Sequence, residues 1–185
     1  MAVDQEIETA VLDEIGNDRV VIIDIVQDEL TRRAGIPETA GLAKVALTCI
    51  KPHWSVMGTT RYLSLEEVQL AQEDFADGRT LTDDLQHWAE STIIALARIS
   101  AAAGLTSKIL LSEDYDARRV ACTVPHTRGV SIHSLFHECV QGSRMTAEAA
   151  AVLGEKLHEA GRGPAVTASD FADPTGRGLG RVARP

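Results

Sequence analysis

The residues best equipped for chemistry gather in one stretch, Arg118–Arg144, RRVACTVPHTRGVSIHSLFHECVQGSR. It holds three of the six histidines and two of the three cysteines. Neutral imidazole and thiolate are the ligands zinc and related ions prefer, in sets of three or four, with an open position when the site is catalytic. His133 and His137 are four residues apart, so on a helix they share one ridge. His126 is expected at a strand end close to the start of that helix. The three imidazoles are therefore candidate ligands for a divalent metal, zinc first, or candidate proton-transfer groups. Cys122-Thr-Val-Pro125-His126 repeats the pattern Cys49-Ile-Lys-Pro52-His53, which adds Cys122, Cys49 and His53 to the ligand set. No wider repeat surrounds the two copies, and neither HExxH nor CxxC occurs. The plainer reading of the same residues is structural: small buried cysteines, and histidines at the edge of an amphipathic helix.

The same stretch has a second chemical use. His126-Thr127-Arg128-Gly129 precedes an expected helix N-terminus, where unsatisfied N–H groups favour an anion. Thr127, Arg128 and Ser131 would add donors for a phosphate or carboxylate, and Arg144 would join if the fold brings it round.

Val120–Val124 is short, apolar and β-branched and reads as a strand, ended by Pro125. Gly129 would permit a tight turn. Ser131 sits where an N-cap belongs, and Ile132, Leu135, Phe136, Cys139 and Val140 share a helical face. Arg19–Val26 is the clearest strand, with Asp24 an unexpected carboxylate inside it. With 106–112 it completes a small sheet, to which 43–50 is a possible addition. Residues 106–112 and 118–124 flank SEDYDA as a β-hairpin, a solvated turn with three acids.

Helices are expected over 3–15, from the capping box Ser64-Leu-Glu-Glu67, from Thr82 to Gly104, and over 146–160. In the third, the half IIALARISAAAG is apolar nearly all round, which calls for core or a subunit interface. The acid-x-x-His pairs Asp84/His87 and Glu155/His158 are what chance would supply. Residues 27–48 resemble the helix-turn-helix of bacterial regulators: one helix to Ala34, a turn at Gly35, and Pro37 opening a second. Glu38, Thr39 and Lys44 are poor base readers, so a scaffold hairpin is the better reading.

Composition narrows the field. The formal net charge of −9 and a 4% aromatic content argue against broad nucleic-acid or anionic-membrane binding. Three cysteines without a disulfide framework fit a reducing compartment, and no signal-like block or membrane-length apolar run is present, so a cytoplasmic protein is expected. The expected fold is α+β, a small mixed sheet covered by four to five helices, in a single domain over 1–161 followed by a flexible Gly/Pro/Arg-rich tail over 162–185. The expected function is an enzyme, a hydrolase or lyase, acting on a small anionic molecule at the His/Cys-rich site. A ligand-responsive transcription regulator and a non-catalytic homo-oligomeric binding protein are the alternatives.

Overall fold

In the computed structural model the described residues are 9–11, 13, 20–50, 54–76, 87–104, 108–161, 163–177 and 179. The class is α+β, as the sequence implied, and the chain divides into two compact units. One comprises Met1–Met57 and Ile132–Arg181, the other Gly58–Ser131 and Val182–Pro185. Among the described residues, no helix is long and apolar enough to cross a membrane.

In the first unit the apolar run after Arg19 is a strand for only three residues, β1 (Val21–Ile23). Helix α1 (Asp24–Arg33) follows at once. Asp24 is therefore a helix-opening acid, with its Oδ1 accepting from the Ile25 N–H at 2.9 Å, and not a carboxylate inside a strand. Helix α2 (Ala40–Cys49) packs on α1, so the expected helical hairpin forms and 43–50 is not a strand. Strand β2 (Ser55–Met57) pairs in parallel with β1. The unit is completed by α6 (Ile132–Gln141), α7 (Ala147–Glu159) and α8 (Ala168–Ala172). Its buried side chains include Leu135, Phe136, Leu153, Leu157 and Phe171.

The Gly/Pro/Arg-rich segment contains order that its composition does not announce. Val166, Phe171 and Leu179 are buried, and α8 carries a capping box between Thr167 and Asp170. Gly154, inside α7, is what admits it. A Cβ there would stand 2.3 Å from a Val166 methyl and 3.5 Å from the Phe171 ring. We call residues 163–179 the strap.

The second unit contains α3 (Leu65–Ala76), α4 (Trp88–Ala102), β3 (Lys108–Leu111), α5 (Tyr115–Ala121) and β4 (Thr127–Val130). The Ser64 capping box is present: the Glu67 carboxylate accepts from the Ser64 N–H at 2.7 Å, and Ser64 Oγ accepts from the Glu67 N–H at 3.2 Å. The Ser64 N–H, and the Ser64 hydroxyl that donates to Glu67 Oε2 at 2.9 Å, hold the Glu67 carboxyl below the usual carboxylate range. Thr82, expected to cap α4, lies outside the described residues. The inward face of α4 carries Ser91, Thr92, Ile94 and Ala95, while Ile99 is exposed. One core joins Val68, Phe75, Ile94, Leu110, Val120 and Val124.

The expected hairpin over 106–124 is not formed. Residues 118–121 finish a helix, 122–124 form the turn after it, and β3 pairs in parallel with β4, making a βαβ unit. The reason is legible afterwards. Asp114 caps α5 by accepting from the Ala117 N–H at 2.9 Å, and the buried Ala117, Val120 and Ala121 follow at helical spacing.

Candidate functional site

The replacement of the expected strand over 118–124 by a helix end and a turn rearranges the candidate anion corner. Thr127–Val130 is extended, not a tight loop. At about 3.3 Å per residue it separates Thr127 from Ser131 by roughly 13 Å. Thr127 is buried at the strand's start, its Oγ1 donating to the Pro125 carbonyl at 3.4 Å. Arg128 is half-buried and stands opposite Ile109 in the ladder. Gly129 serves a close approach and not a turn: a Cβ would fall 2.4 Å from the Arg118 Cα and carbonyl oxygen, so α5 lies flush on β4. His126 is exposed in the turn before β4, with φ at 58°, a left-handed conformation that costs a non-glycine residue about 1 kcal/mol.

At the other end of these strands a different group converges. Ser112 follows β3 and its N–H donates to the Val130 carbonyl at 3.0 Å, which sets it beside the end of β4, where Ser131 is buried. Arg118, a buried residue at 6% exposure, reaches the same place and donates through Nη1 to the Ser112 carbonyl at 2.8 Å. The Tyr115 ring centre is 6.0 Å from the guanidinium carbon. A buried cation thus stands at the carboxyl ends of two parallel strands, the place where α/β units bind ligands. Sequence reasoning missed Arg118 because it read 118–124 as a strand. The cue was Asp114 followed by apolar residues at helical spacing.

The remaining candidates have other tasks. In the first unit, Arg144 is exposed and donates through Nη2 to the Glu138 carbonyl at 3.4 Å. It serves the C-terminal end of α6, where a cation favours the helix dipole, and that end is unsuited to an anion. Cys139 is buried on α6.

His133 and His137 share a ridge of α6, as expected, and both are buried, at 1% and 0% exposure. Each meets the strap. His137 Nε2 lies 2.7 Å from the Asp173 carbonyl oxygen. A carbonyl brings no proton, so His137 must donate through Nε2, and that nitrogen cannot ligate a metal while this bond stands. The His133 ring rests on Gly163, where a Cβ would be 2.4 Å from Cε1. One turn on, Gln141 Nε2 donates to the Phe171 carbonyl at 3.1 Å. His158 Nδ1, by the same logic, donates to the Gly163 carbonyl at 3.0 Å.

No protein family, curated protein or solved structure matches the chain. Among the described residues, no three His, Cys, Asp or Glu side chains are grouped to hold a metal. His126 and Cys122 belong to one unit, His133, His137 and Cys49 to the other. His53 lies outside the described residues, as does the side chain of Cys49.

The repeated Cys-x-x-Pro-His pattern has a structural explanation. Cys122 is the C-cap of α5, its N–H donating to the Arg118 carbonyl at 3.2 Å, and β4 begins shortly after His126. Cys49 is the last residue of α2, and β2 follows shortly after His53. The copy at 122–126 stands where a helix stops and a parallel strand starts, while Pro52 and His53 of the other copy lie outside the described residues. Proline suits that place because it cannot continue a helix.

Proposed function

We propose that this chain binds a small anionic molecule at the carboxyl ends of β3 and β4, with Arg118, Ser112 and Ser131 as the binding residues. The observation that carries the reading is the buried Arg118 guanidinium at the end of a parallel βαβ unit. An anion placed there would gain charge-assisted hydrogen bonds from the planar guanidinium. Net acidity of the chain makes a local buried cation the more selective feature for such a ligand. The proposal is one of binding. Hydrolase or lyase chemistry on the ligand is a further step, which would register as product in the same samples.

Titration calorimetry with inorganic phosphate and with citrate tests it. Saturable binding of at least one is expected. Arg118→Lys, which keeps the charge but loses the planar fork, should weaken binding about tenfold or more. Ser131→Ala should weaken it less. Absence of saturable binding to either anion, or binding indifferent to both substitutions, would overturn the proposal.

A further inference from the structure

The α1–α2 hairpin is scarcely covered by the rest of its unit. Among the described residues, α1 buries no side chain and α2 buries Ala43 alone. Each helix is ten residues long, and helices this short are held by burial of an apolar face. Yet α2, AGLAKVALTC, carries Lys44 as its single charge and is apolar nearly all round, a pattern that calls for a covering surface. Leu42 and Val45, one turn apart on one ridge, are instead 56% and 45% exposed. The charges of α1 identify the cover. Glu29 engages Arg33 within the helix at 2.6 Å. Asp28 and Arg32, both exposed, stand one turn apart on a second ridge. A ridge with an acid at one end and a base at the other is complementary to itself when turned end for end, the relation a twofold axis imposes. Residues 24–49 carry four acids against three bases, a near balance in a chain of net charge −9, so two copies repel each other least through this face.

We propose that this hairpin is the interface of a homodimer. Two copies pack hairpin on hairpin about a twofold axis, with α1 antiparallel to its counterpart. Asp28 of each copy then meets Arg32 of the other, and Leu42 and Val45 of both leave water. The face measures about 15 Å along the helices and about 20 Å across the pair. That is at the small end for a specific interface, which sets association in the micromolar range. Nucleic acid fits the face poorly, because its exposed cations are balanced by acids and α2 offers Lys44 alone. This inference does not depend on anion binding in the other unit.

Analytical ultracentrifugation of the full, untagged chain from about 2 to about 300 µM tests it, with hydrogen exchange over 40–49 read at both ends of the range. A monomer–dimer equilibrium is expected, with exchange in α2 slowed at the higher concentration. Val45→Glu, at an exposed position, should leave the fold intact and weaken dimerisation about tenfold or more, because it sets an unpaired charge in the interface. Asp28→Arg alone and Arg32→Asp alone each set like charges together at two places, and each should weaken it about fivefold or more. An equimolar mixture of those two variants restores opposite charges across the axis and should associate as tightly as the parent. An effect confined to one helix would not be rescued by mixing. The proposal is overturned if the chain stays monomeric throughout, if Val45→Glu dimerises like the parent, or if the mixture associates no better than either variant alone. A monomeric chain that retains duplex DNA would assign the face to nucleic acid and would equally overturn it.

Discussion

Gly154→Ala puts the docking of the strap to a direct test. Within an exposed helix the substitution would stabilise by about 1 kcal/mol, because alanine loses less backbone entropy than glycine. Here the new methyl would stand 2.3 Å from Val166 Cγ2, against an ordinary carbon–carbon contact of about 3.5–4.0 Å. Valine is stiff at χ1 and cannot swing clear, so the strap backbone must retreat by more than about 1 Å. Overpacking of this kind costs about 1–3 kcal/mol, and losing the Val166 contact outright forfeits a further share of roughly 1.5–3 kcal/mol. Set against the helix gain, the expected net loss is about 1.5–5 kcal/mol, a fall of at least roughly 3 °C in thermal midpoint. Hydrogen exchange should localise the effect to 163–177, with the helical signal of the rest preserved. A raised midpoint with unchanged strap protection would refute the close approach of strap and α7.

Four further outcomes follow from the same geometry. Gly41→Ala, in α2 with nothing within 4 Å of the new methyl, should stabilise by about 0.5–1 kcal/mol and raise the thermal midpoint. Gly129→Ala should destabilise strongly, by more than about 3 kcal/mol in urea unfolding, because the clash is with the Arg118 backbone and not a mobile side chain. Arg144→Ala should leave phosphate binding unchanged and cost under about 1 kcal/mol, since its guanidinium serves the C-terminus of α6. Asp170 and Asp173 are held below the usual carboxylate range, Asp170 by the side chain and backbone of Thr167, and Asp173 by the backbone and side chain of Thr175 with Arg177 and His137 adding positive charge. Carboxyls with lowered folded pKa contribute stability above their unfolded value and lose it as pH falls through the folded one. Strap protection should therefore be constant above about pH 5 and decline below about pH 4, and Asp170→Asn should flatten that decline in hydrogen exchange.

The sequence was most informative where a local signal has a single structural meaning. Ser64 and Glu67 form the reciprocal cap their spacing implies, and Gly104 and Gly161 stop their helices in the left-handed conformation. The ridge shared by His133 and His137 was equally legible, since it depends only on helical spacing. Misreadings came from short β-branched runs. Val120 and Val124 look like strand, yet Asp114 caps a helix that buries Val120, and a cap with three helical contacts outweighs β propensity. The histidine cluster was beyond reach for a different reason. Proximity in sequence did not reveal that a segment thirty-six residues further on takes up His137 Nε2. Nor does a Gly/Pro/Arg-rich composition disclose that Val166, Phe171 and Leu179 are buried.

The manner in which α6 holds the strap affects how this region can change over evolutionary time. His137 and Gln141 bond to peptide carbonyls, which every residue type supplies. Substitutions at Ala165, Ser169, Ala172 and Pro174, all exposed, leave those carbonyls in place. Drift there should be nearly neutral, whereas Gly154, Gly163 and Phe171 tolerate little. Two descendants of this chain could thus share a docked strap while the sequences of that segment no longer align.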